Sequence, residues 1–123
     1  MRNQQISAYA AGRMGEDRAC EYLRAKGMVL LTKRYRSHYG EVDLVMQEGD
    51  ILVFVEVKTR AKGTIGTGLI AITPAKQKRL SQTASMYLAE KGVNPVVRFD
   101  AVEITPMGIV HVQNAFDASG VPW

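Results

Sequence analysis

Three charged residues stand in stretches that are otherwise apolar: Asp43 within Gly40-Glu41-Val42-Asp43-Leu44, and Glu56 and Lys58 within Phe54-Val55-Glu56-Val57-Lys58. A charge in an apolar strand is costly unless it is paired, hydrogen-bonded or bound to a metal. Two carboxylates held close repel and raise each other's pKa unless a cation lies between them. Mg2+ takes one or two carboxylates and fills its remaining positions with water and phosphate. A lysine beside such a pair can hold or help deprotonate a water and offset charge that builds on a phosphate. These are the residue types of metal-dependent phosphodiester hydrolysis. They are equally those of an internally neutralised cluster in which Lys58 pairs with Glu56 on a strand rim, and the residues alone leave both readings open.

For the chemistry the three side chains must meet, and the flanking patterns supply elements that bring them together. Residues 41–47 and 50–59 read as two strands around Glu48-Gly49-Asp50, a glycine-containing hairpin signal. Alternate residues of a strand share a face, so Glu56 and Lys58 are neighbours with Val57 pointing away. A Gly49-Asp50 turn pairs 48 with 51 and sets Asp43 opposite Glu56. A Glu48-Gly49 turn moves Asp43 two residues along but keeps it on that face. The run Ile51-Leu52-Val53-Phe54-Val55 has no polar side, which predicts a central strand covered on both faces.

Around this hairpin the order is helix, three strands, helix, two strands. Residues 7–26 carry small and apolar residues at helical spacing, and Gly27 supplies a left-handed stop. Residues 28–36 begin apolar and turn basic at Lys33, Arg34 and Arg36, a strand whose far end faces solvent or ligand. Residues 63–68 form a glycine-rich loop. Thr73-Pro74 opens a second helix, with threonine as N-cap and proline at the first helical position. Leu80, Ala84, Tyr87 and Leu88 form its buried stripe, and Gly92 ends it. Residues 96–104 and 108–113 are late strands joined by Thr105-Pro106-Met107-Gly108, and His111, between two valines, is expected to face outward.

A chain of 123 residues fits one domain, 1–123, with a core over about 7–115 and a tail over 116–123. The lone cysteine, Cys20, excludes an internal disulfide and a cysteine-rich zinc site; a buried small residue is its expected role. No apolar run approaches the length of a signal peptide or a membrane span, so the expected location is cytoplasmic, with no membrane partner. A net charge of +4 and a pI near 9.4 agree with a polyanionic partner without establishing one. No serine-histidine-acid order, P-loop or base-reading motif is visible.

An acid near a strand start followed by Glu-x-Lys at the end of an apolar strand resembles the PD-(D/E)xK restriction-endonuclease-like superfamily, with Val42 where its usual proline stands. The wider pattern resembles the YraN-type family of uncharacterised bacterial endonuclease-like proteins: Gly15-Glu16, Gly40 to Leu44, Phe54 to Arg60, Thr73-Pro74-Ala75-Lys76-Gln77 and Arg98-Phe99-Asp100. The resemblance implies an α/β, three-layer fold, with a mixed central sheet of about five strands flanked by helices, similar to archaeal Holliday-junction resolvases. It implies that Asp43 and Glu56 ligate Mg2+ (Mn2+ as substitute), that the Val57 carbonyl can add a ligand, and that Lys58 serves the water. A glutamate on the first helix joins the metal site in resolvase-like relatives, and Glu16 matches it; its alternative is a solvated residue pairing with Arg13 or Arg18. Those relatives act as dimers, which makes a homodimer one expectation.

Arg36, Arg60, Lys76, Gln77 and Arg79 come from segments flanking this site and are candidates to hold a nucleic-acid backbone, as are Arg34, Lys62 and Lys78. Glu41 is expected to make a salt bridge or capping contact near the site rather than ligate the metal, and Asp100 to partner a buried basic group. The leading expectation is a Mg2+-dependent endonuclease acting on branched or damaged DNA. The alternatives are a non-cleaving domain that binds nucleic acid or a repair partner, and a scaffold whose acids form salt bridges only.

Overall fold

The computed structural model describes residues 8–60 and 72–117, the side chains of residues 8–11 excepted. The glycine-rich stretch 63–68, Lys62 and the end of the tail lie outside the described residues. In chain order the elements are α1 (Ala8–Ala25), β1 (Val29–Ser37), β2 (Gly40–Glu48), β3 (Ile51–Thr59), α2 (Pro74–Lys91), β4 (Val96–Thr105) and β5 (Gly108–Phe116). The five strands form one sheet in the order β1-β2-β3-β4-β5. Only β3 and β4 run parallel, and the connection between them passes through α2, as a parallel pair requires.

The helices cover opposite faces of the sheet. On one face Ala19, Cys20 and Leu23 of α1 pack with Leu44, Met46, Val53, Val55, Val102 and Ile104. On the other, Leu80, Ala84, Tyr87 and Leu88 of α2 pack with Val45, Leu52, Phe54, Phe99 and Ala101. Neighbouring residues of β3 thus supply both cores, which is why its run carries no polar side. Each large side chain withdrawn this way contributes about 1.5–3 kcal/mol. No helix among the described residues is long and apolar enough to cross a membrane.

Local chemistry fixes the ends of α2, and so what it presents to the sheet. The Thr73 hydroxyl accepts the Lys76 N–H (3.2 Å) and Pro74 begins the helix. Gly92 closes it at φ 67°, donating its N–H to the Leu88 carbonyl. The hairpin adopts the Gly49-Asp50 turn, pairing Glu48 with Ile51 and Leu44 with Val55.

Two features differ from the sequence expectations. β5 runs on to Phe116, whose ring stacks on Phe99 at 4.4 Å. Asn114 there has φ 55° and the β4–β5 register shifts, so the alternation that marks a strand in sequence fails while the strand continues. The second is a correction: the His111 side chain is 1% exposed and faces inward. Its Nε2 lies 2.8 Å from Asp100 Oδ2, and the Lys26 ammonium is 3.0 Å from its Nδ1. An ammonium only donates, so Nδ1 accepts from it and Nε2 carries the proton toward Asp100. Asp100 also receives Arg98 Nε and Nη2, at 2.8 Å each, and the Asn114 N–H at 3.1 Å. These donors hold its carboxyl below the usual carboxylate range against the opposing effect of burial. Asp100 is the partner of a buried basic group, as expected, and this network needs His111 inside.

Candidate active site

The β2–β3 ladder ends at Leu44–Val55, whereas β3 stays paired with β4 as far as Thr59–Ile104. Past Val55 the two hairpin strands no longer exchange ladder bonds, and Asp43 takes over: its Oδ2 accepts the Val57 N–H at 2.7 Å. β2 loses its alternation here, because Val42 and Val45 both join the α2-side core while Leu44 joins the α1-side core. Across from Asp43, β1 is irregular too. Its pairs Lys33–Leu44 and Tyr35–Val42 flank Arg34, whose φ of 53° is rare for a residue with a Cβ. Such a conformation costs about 1–3 kcal/mol and persists only where the surroundings impose it. The Arg34 guanidinium lies 2.7 Å from Glu16 Oε1 of α1.

The opening so formed is a cavity of about 250 Å³ lined by Gly40, Glu41, Asp43, Glu56, Lys76, Arg79 and Leu80. Asp43 and Glu56, each one residue beyond the last ladder pair, both line it. Burial pushes the Asp43 carboxyl up from 3.8 to about 7; the Glu56 charge adds to this, the Val57 N–H opposes it, and Glu16 and Glu41 add further. Glu56 is itself buried, and its Oε2 is paired with the Lys76 ammonium of α2. Val57 packs on the α1 side, so Lys58, one residue on, returns to the side of Glu56. Lys58 is half-buried and makes no ion pair among the described residues.

Glu16 is placed by a close helix–strand contact. A Cβ added to Gly15 would lie 2.0 Å from the Thr59 Oγ1, so only glycine lets α1 approach the end of β3 this closely. Glu16 reaches across to β1 and pairs with Arg34 rather than with Arg13 or Arg18. We expect Gly15→Ala to destabilise the fold by about 1–3 kcal/mol in urea denaturation, and Gly15→Ala/Thr59→Ala to recover most of the loss. Equal stability of the double and single variants would contradict this contact.

The predicted backbone-binding residues divide into two groups. Lys76 and Arg79 border the cavity, and Arg36, largely exposed, pairs at 2.8 Å with Glu41 on its rim. Arg60 and Gln77 have local partners: Arg60 Nε meets Glu103 Oε2 at 2.6 Å, and the Gln77 amide donates to the Ile72 carbonyl at 2.9 Å. Glu103, fully buried in an apolar strand, shows the same energetic oddity as Glu56 and was not singled out by the sequence reading.

The pair of acids suits a hard divalent cation. No group of three or more histidine, cysteine, aspartate or glutamate side chains among the described residues gathers into a closed metal cage. Mg2+ needs none, since it commonly binds through one or two carboxylates and keeps water. The chemistry of this donor set fits it: desolvation and the neighbouring Glu56 raise the proton affinity of Asp43, and a cation already sits on Glu56.

The sequence matches the family described as Uncharacterised protein family UPF0102 over residues 15–104. The chain belongs to the UPF0102 family. A UPF0102 protein of Herminiimonas arsenicoxydans is 42% identical over 107 residues, covering 87% of this chain and 86% of that protein. One from Symbiobacterium thermophilum is 45% identical over 113 residues, 87% of this chain and 96% of its own length. Another, from Cupriavidus taiwanensis, is 43% identical over 116 residues, 94% and 88% of the two chains. The matched UPF0102 span begins at Gly15 and ends at Ile104, so it takes in every residue lining the cavity and leaves out β5.

Proposed function

We propose that this UPF0102 chain is a Mg2+-dependent endonuclease hydrolysing phosphodiester bonds of structured DNA, branched or damaged. The observation that carries the reading is the pairing of half-buried Asp43 with buried Glu56 in one cavity, at the point where β2 and β3 part. Ionised together, these acids repel each other in a cavity open to solvent, an arrangement that a divalent cation stabilises. Asp43, Glu56 and the Val57 carbonyl would hold Mg2+, with Mn2+ as a substitute. Bound there, the ion would supply Lewis-acid polarisation of the phosphate and a nucleophilic water. Lys58 would donate from its ammonium to orient that water and offset charge on the phosphate, and Glu16, paired with Arg34 but close enough to act on the Asp43 charge, would complete the acidic wall from α1. Arg36, Lys76 and Arg79 on the cavity side hold the phosphate backbone, which favours recognition of shape over base sequence.

A second reading, a non-cleaving domain that binds nucleic acid or a repair partner, has one observation in its favour: Lys76 already neutralises Glu56 within the chain. Cleavage across a panel of branched, nicked and linear DNA and RNA substrates with Mg2+, and with Glu56→Ala as control, separates the two. Metal-dependent cutting of a structured substrate that the variant lacks is the expected result. Retarded migration without cutting, at any metal concentration, would establish the second reading.

A further inference from the structure

The Lys76–Glu56 ion pair joins two groups of unequal freedom. The Glu56 side chain is 7% exposed and lies in the sheet, whereas that of Lys76 is 35% exposed and reaches in from the first turn of α2. If the pair opens, it is the lysine that leaves. Lys76 also stands where a cation is least favoured, since the amino end of a helix carries partial positive charge and no acidic residue occupies that first turn. Glu56 is what holds its ammonium inward. One turn on, the exposed Arg79 borders the same cavity, so an anion attracted to Arg79 comes within reach of Lys76.

We infer that Lys76 is an internal counter-ion that competes with the divalent cation for Glu56 and is drawn off by substrate phosphate. The inference rests on the metal-site reading above and adds its regulation. In the free protein, metal must displace an ammonium from the carboxylate it needs. When a phosphate backbone lies across Arg79, Lys76 turns to it and Glu56 is released to the metal. Metal loading and nucleic-acid binding then strengthen each other, and by linkage the effect is the same in both directions.

The test is titration of the DNA-free protein with Mn2+, read by the electron-spin signal of the unbound ion, for wild type, Lys76→Met, Lys76→Arg and Asp43→Asn. Lys76→Met is expected to bind Mn2+ at least about fivefold more tightly than wild type, and Lys76→Arg, which keeps the charge, to stay close to wild type. A short phosphorothioate DNA duplex should tighten Mn2+ binding by wild type and leave Lys76→Met unchanged. Equal affinities of wild type and Lys76→Met, with binding lost in Asp43→Asn, would overturn the counter-ion role and leave the metal site standing. Absence of Mn2+ binding in every protein would overturn both.

Discussion

Asp43→Asn and Glu56→Gln should each lower Mg2+-dependent cleavage by about a thousandfold or more, while the protein stays folded. Each substitution keeps the size of the side chain and removes one carboxylate of the Asp43–Glu56 pair. Losing a carboxylate ligand removes about 4 kcal/mol of transition-state stabilisation, at about 1.4 kcal/mol per tenfold in rate. In the first variant the asparagine can still accept the Val57 N–H through its carbonyl oxygen, so the splayed end of the hairpin is preserved. In the second, the neutral glutamine leaves the Lys76 ammonium without its charge partner, but that group is partly exposed and can hydrate. Single-turnover rates on the substrate selected from the panel measure the effect. Rates within tenfold of wild type for both variants would show that the acids are not the catalytic centre.

The same Asp43→Asn substitution should stabilise the metal-free protein at alkaline pH. Desolvation, with the Glu56 charge adding to it, pushes the folded Asp43 carboxyl up from 3.8 to about 7. A carboxyl whose pKa is raised on folding favours the folded state when protonated. Its contribution is present below about pH 3.8, declines as pH rises toward 7, and is absent above that. Wild type therefore carries a penalty at pH 8 that the asparagine variant lacks. At about 1.4 kcal/mol for each tenfold in proton affinity, the shift from 3.8 to about 7 makes the difference about 4 kcal/mol. It should shrink toward zero at pH 4. Chemical denaturation of both proteins at the two pH values tests it, and the comparison at each pH cancels groups such as Asp100, whose lowered pKa acts in the opposite sense. Mg2+ should raise the stability of wild type and leave the variant unchanged. A difference that does not depend on pH would contradict the burial of an ionised pair.

Where chemistry is local, the sequence specifies the structure closely. Thr73-Pro74 and Gly92 bound α2 because a hydroxyl, a proline ring and a Cβ-free residue act within one helical turn. The Gly49-Asp50 turn sets the register of the hairpin as far as Leu44–Val55, one residue short of Asp43 and Glu56, and the apolar run 51–55 lies in the central strand. What was not legible depends on contacts far apart in sequence. Lys76, rather than Lys58, neutralises Glu56, because the connection between β3 and α2 returns the helix start over the strand end. Glu16 pairs with Arg34 through a bend in β1 that no turn residue marks. His111 has the alternation of an outward-facing residue, yet Asp100, Arg98 and Lys26 draw it inward. The signal for that was present, since an acid in the middle of β4 needed several donors, and only Arg98 lay near in sequence. Glu103 could have been found by the reasoning that singled out Glu56.

At the centre of the proposed function are two neighbouring carboxylates, Asp43 and Glu56, whose repulsion a divalent cation would relieve. Carboxyl-carbon NMR of Asp43 across a pH series, with and without Mg2+, measures this at the atoms concerned. A midpoint near 7 is expected without metal, and a clear downward displacement when Mg2+ is added. A midpoint at the ordinary aspartate value that Mg2+ leaves in place would contradict it.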